Sequence, residues 1–80
     1  VSRTLVIRDS VDLATLACAL QLQAVEEERD ACALREGRRT ARQPDADTWS
    51  AATRERCAQA CEKRCAVALR MLGELDGGAP

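Results

Sequence analysis

The residues of this sequence best suited to chemistry are its five cysteines: Cys18, Cys32, Cys57, Cys61 and Cys65. Thiolates are soft ligands that suit Cu(I) or Zn(II), and paired thiols can exchange with a disulfide. Cys57, Cys61 and Cys65 stand four residues apart, which on a helix places them along one face with a drift of about 40° per step. Cys18 and Cys32, fourteen residues apart, again share a face. A chain that folds back near residue 42 would bring Cys18 level with Cys61 or Cys65, and Cys32 nearer to residues 51–57, within reach of a cross-helix thiol pair. Cys18, Cys57, Cys61 and Cys65 are therefore the candidate ligands for Cu or Zn, or the candidate redox thiols. The competing expectation is packing, with no cofactor. Free Cys behaves as a small hydrophobe and is among the most buried residue types, and these cysteines fall where Ala would serve.

Several thiol chemistries lose their usual signal. No C-x-x-C occurs, which argues against zinc-ribbon, zinc-knuckle and thioredoxin-type readings. A disulfide between residues i and i+4 of one helix has unfavourable Cβ geometry. The odd number of cysteines does not suit a closed disulfide framework. The first residues lack a basic region followed by a hydrophobic block, so no signal peptide is expected. Reduced thiols in a cytoplasm are the corresponding expectation. The stretch Cys57-Ala-Gln-Ala-Cys61-Glu-Lys-Arg-Cys65-Ala resembles the cysteine-rich helices of four-helix bacterial copper-storage proteins. The chain has too few cysteines for a storage core and no His, so that family is not assigned.

The absence of histidine also removes the commonest general base and every Ser–His or Cys–His pair. A carboxylate di-iron site would want Glu with His three residues on. No Gly-rich phosphate loop or Walker motif is present. Catalysis by this chain alone is not expected. The formal net charge of -1 supplies no global field for nucleic acid. Arg35, Arg38, Arg39 and Arg42 make a basic turn that could touch phosphate but is expected to be a solvated turn. No apolar run reaches the roughly 18–20 residues that span a bilayer, so no membrane partner is expected. Arg outnumbers Lys, with Lys63 alone, a bias that points to a high-GC bacterial source.

The elements that must position these residues are helices. Ala, Leu, Glu, Gln and Arg dominate between Val11 and Leu75, and all are strong helix formers. The expected organisation is a single all-α domain. An extended arm covers 1–9, where Leu5-Val6-Ile7 favours an extended backbone. The first helix covers 10–36, capped by Asp9 or Ser10 and ended by Gly37. The connection covers 37–46, where Pro44 forbids a continuous helix. The second helix covers 46–75, capped by Asp45 or Asp47, and a frayed tail covers 76–80.

Both helices carry a seam. Leu13, Ala17, Leu20, Ala24, Glu27, Ala31 and Leu34 follow alternating steps of four and three, a heptad pattern. Cys61, Cys65, Ala68, Leu72 and Leu75 repeat that rhythm, with Ala51, Ala58 and Cys65 as a small-residue column. Matching small seams joined by a short connection predict an antiparallel hairpin. Glu27 interrupts the first seam, and a carboxylate there needs an Arg partner, for which Arg54 is expected, or must reach solvent.

A second apolar stripe lies away from the seam. Val11, Cys18, Leu22 and Val25 on the first helix, with Val67 and Met71 on the second, are the candidate interface. A helix apolar on two sides is buried on two sides, and a hairpin alone covers one. Eighty residues also make a marginal core on their own. The expected function is a non-enzymatic interaction module, a homodimer or higher self-assembly forming a four-helix bundle, or a hairpin docked on a helical protein partner. The alternative is soft-metal or thiol redox chemistry through the cysteines.

Overall fold

The computed structural model describes the backbone of residues 10–77 and the side chains of residues 12–75. It is all-helical, with no strand among the described residues. Helix α1 (Ser10–Arg35) and helix α2 (Ala51–Gly77) pack against each other as an antiparallel hairpin. A 3-10 turn, Ala46–Thr48, lies in the connection. The expected extended arm, and the expected cap of the first helix, fall outside the described residues.

Helix α1 stops where a left-handed residue is available. Gly37 has φ 79°, a conformation that costs a side-chain-bearing residue roughly 1–2 kcal/mol. Its N–H donates to the Leu34 carbonyl at 3.1 Å, and the Arg38 N–H donates to the Ala33 carbonyl at 2.8 Å. This pair of bonds is a Schellman motif, which satisfies two carbonyls left over at a helix end.

The second helix starts later than the expected position 46. Ser50, not Asp45 or Asp47, is its cap: Ser50 Oγ accepts the Thr53 N–H at 3.2 Å, and the Ser50 carbonyl accepts the Arg54 N–H at 3.0 Å. Residues 46–48 turn separately, with Thr48 N–H bonded to the Asp45 carbonyl at 2.9 Å. Trp49 is then extended, with ψ 157°, which breaks the run between the turn and α2. The turn has a packing role, because it lays Ala46, fully buried, under the end of α1.

The core has two parts. Near the connection, Ala31, Leu34, Ala46, Ala58 and Cys61 are buried together, with Trp49 and Cys57 packed against them. Toward the open end, Leu20, Ala24 and Ala68 are buried, flanked by Leu16, Cys65, Met71, Leu72 and Leu75. These are the two seams, matched small against small. Leu13, expected in the seam, is exposed.

Among the described residues, Leu34 is the largest apolar side chain with no exposure at all. Truncating it leaves a cavity that the short connection above it can fill only in part. Leu34→Ala is expected to lower stability by about 2–5 kcal/mol, measured by urea denaturation followed through helical circular dichroism. Gly37→Ala should cost about 1 kcal/mol by the same measurement.

Candidate functional site

Glu27 lies between the two core clusters and its side chain is only 3% exposed. Two guanidinium groups meet it there. Arg42, from the connection, donates to Glu27 Oε1 at 2.8 Å and to Asp30 Oδ2 at 2.7 Å. Arg64, from α2, donates through Nε to both Glu27 oxygens at 3.0 and 3.1 Å. The arginine hydrogen bonds hold the Glu27 carboxyl well below its ordinary value, at about 2, although burial acts the other way. The carboxylate is therefore ionised and fully engaged.

Arg54, the partner expected for Glu27, is elsewhere. It donates to the Trp49 carbonyl at 2.6 Å and lies beside Gly37. It stands ten residues before Arg64 on α2, almost three turns away along the axis. The pairing of Glu27 with Arg64 sets the register instead. Continued nine residues along each helix, that register places Cys18 level with Gly73 rather than with Cys61 or Cys65. The hairpin reverses later than residue 42, because the connection runs on through the 3-10 turn to Ser50.

The remaining arginines of the turn are also engaged. Arg35 bridges Glu55 at 3.0 Å and Glu62 at 2.6 Å on α2, and Arg38 pairs with Glu36 at 2.8 Å. With Arg42 committed to Glu27 and Asp30, three of the four residues expected to form a basic turn are neutralised within the chain.

The candidate metal ligands are spread along the hairpin. Cys61 is buried in the cluster near the connection, with Arg64 Nη2 at 3.3 Å from its sulfur and Arg42 Nη2 at 3.8 Å. Burial, reinforced by the Glu27 carboxylate and opposed by Arg64, pushes its thiol above the ordinary value. A protonated thiol is a poor ligand and nucleophile. Cys57 packs on the same cluster, Cys65 on the other, and Cys18 is exposed. All five thiols are free, and among the described residues no three His, Cys, Asp or Glu side chains come together as a metal site requires.

The exposed apolar residues do gather. Cys18, Leu22 and Val25 of α1 line a trough of about 520 Å³ with Leu69 of α2, and Cys65 and Leu72 also face it. The trough continues toward the connection past Cys32, where Cys65 and Leu69 again take part and the Arg35–Glu62 pair rims it. Leu22, Val25 and Leu69 are 60%, 51% and 53% exposed.

Comparison of the chain with protein-family models, with curated proteins and with solved structures finds no match. The trough and the ion cluster therefore stand on their own geometry. Of the expected interface residues, Cys18, Leu22 and Val25 line the trough, and the side chain of Val11 lies outside the described residues. Val67 is exposed, but it is two positions from Leu69 and so about 200° around the helix. Met71 packs on the Leu20–Ala24–Ala68 cluster. Leu69 was not expected in the interface. Its spacing of three and seven residues from Ala66 and Glu62 gives a face of mixed character, which periodicity alone does not mark. No helix of the described residues is long and apolar enough to cross a membrane.

The Glu27 cluster has a pH signature. Its carboxyl titrates lower in the folded chain than in the unfolded one, so the stabilisation is present above about pH 4.5 and is lost as pH falls toward 2. Urea midpoints should drop across that window. Glu27→Gln should flatten the drop by the Glu27 share, on the order of 2–3 kcal/mol. An unchanged acid profile in the variant would remove Glu27 from the account.

Proposed function

We propose that this chain is a non-enzymatic association module, a helical hairpin that a second copy completes into a four-helix bundle. The trough is the observation that supports this reading. Leu22, Val25 and Leu69 present contiguous apolar surface along one side of the hairpin. Fully burying such a side chain contributes roughly 1.5–3 kcal/mol. The core offers little else of that size, because six of its nine buried apolar residues are Ala among the described residues.

The lack of histidine and the protonated state of the buried thiol favour a role without catalysis.

Sedimentation equilibrium in reductant tests the proposal. The expected mass is twice the 8.7 kDa of one chain. Val25→Glu and Leu69→Glu should each give a monomer that keeps its helical circular dichroism. Val67→Glu, on the far side of α2, should remain dimeric. A wild-type chain that sediments as a monomer at tens of micromolar would sink the self-association reading and leave a different helical protein as the occupant of the trough.

A further inference from the structure

Cys18, Val25 and Cys32 are seven residues apart in turn, so all three lie along one line of α1, two turns from one to the next. Cys18 and Cys32 are both exposed and both free. Fourteen residues of straight helix hold them about 21 Å apart, so they cannot bond within one chain. Val25 stands midway between them. A two-fold axis perpendicular to α1, passing between the two copies at the level of Val25, therefore brings each Cys18 level with the Cys32 of a second, antiparallel copy. Pairing with an unrelated helix makes no use of that symmetry; pairing with a second copy does.

We propose, resting on the self-association reading above, that two copies meet with their α1 helices antiparallel about Val25, and that this dimer is locked by two symmetric disulfides, each joining Cys18 of one copy to Cys32 of the other. The side chains along the line are short, so the helix axes can approach to the 8–10 Å of ordinary packing. A disulfide needs Cα atoms 4.4–6.8 Å apart, which a facing pair on such helices meets. The other three thiols do not compete on equal terms, since Cys61 is buried and Cys57 and Cys65 are half-buried against the core.

The oxidant is a low-molecular-weight disulfide such as oxidised glutathione. The Cys18 thiolate attacks it, forming a mixed disulfide and releasing one glutathione thiolate. The facing Cys32 thiolate then attacks the Cys18 sulfur and releases the second. For each protein disulfide, one glutathione disulfide is reduced to two thiols, which take up the two electrons and two protons that the protein thiols give up. Excess reduced glutathione reverses both steps.

The test uses the full chain, first sedimented in reductant and then equilibrated with mixtures of oxidised and reduced glutathione. Products are resolved by non-reducing electrophoresis and by mass spectrometry of a non-reduced tryptic digest. Trypsin separates Cys18 from Cys32 by cutting after Arg29, so the linkage is read directly. The expected result is a covalent dimer four hydrogens lighter than two reduced chains, with Cys18 peptides joined to Cys32 peptides. Cys18→Ser and Cys32→Ser should each abolish that linkage, and mixing the two variants should restore one disulfide per dimer. A chain that is dimeric in reductant but forms no Cys18–Cys32 linkage, or links Cys18 to Cys18, overturns the thiol pairing and leaves the association reading standing. A chain that is monomeric in reductant overturns both.

Discussion

A carboxylate buried in an apolar seam is costly unless charged donors surround it. Glu27 meets that condition with two arginines from two different parts of the chain: Arg42 from the connection and Arg64 from α2. Much of the hairpin follows from this requirement. Arg64 must stand opposite Glu27, which sets the register of α2 against α1. Arg42 must reach back fifteen residues, which folds the connection down onto α1, where it also meets Asp30. The two core clusters then fall on either side of the charged waist. Replacing such a cluster with apolar residues of the same volume need not weaken a fold; its best-attested role is to choose one register among several. In a seam of repeated Ala and Leu, shifts by a heptad would otherwise bury similar surfaces.

The same small residues that let the helices close together limit what the hairpin gains by closing. Ala contributes little apolar area compared with Leu, and Ala makes up most of the buried positions. The larger apolar side chains of α1 are divided between the seam, with Leu20 and Leu34, and the flank that opens on the trough, with Leu22 and Val25. A two-helix object cannot cover both sides of a helix. The trough is thus a consequence of how the apolar residues are distributed around α1, and it is the surface on which the proposed association rests.

The cysteines illustrate how position decides chemistry. Cys61 lies beside two guanidiniums, which would favour a thiolate, yet burial and the adjacent carboxylate prevail and keep it protonated. It serves as a small core residue with Ala31 and Ala58. Cys18 and Cys32 share the residue type but face outward along the trough. The three thiols of α2, evenly spaced in sequence, are divided by packing: Cys61 is buried in the cluster near the connection with Cys57 beside it, and Cys65 packs on the other cluster.

Much of the fold was legible in the sequence because it rests on local and periodic signals. The four-three spacing of Leu20, Ala24, Ala31 and Leu34 against Cys61 and Ala68 marks both helices and the faces that meet. Gly37 marks the end of α1, because a positive φ there suits only glycine well. The outward placement of Cys18, Leu22 and Val25 follows from their angular distance from that seam. Other features required the tertiary structure. Arg42 and Arg64, rather than Arg54, serve Glu27, because long side chains reach across several residues and only the register decides which of them arrives. Ser50 rather than Asp45 or Asp47 caps α2, because the connection spends residues 46–48 on a separate turn that buries Ala46. Leu69 joins the trough while Val67 and Met71 do not, because a groove between two helices is defined by both at once. The sequence by itself determined the helices and their inner faces, which depend on spacing along one chain. The register, the ion partners and the shape of the open surface depend on how two helices and their connection meet in space, and only the tertiary structure decided them.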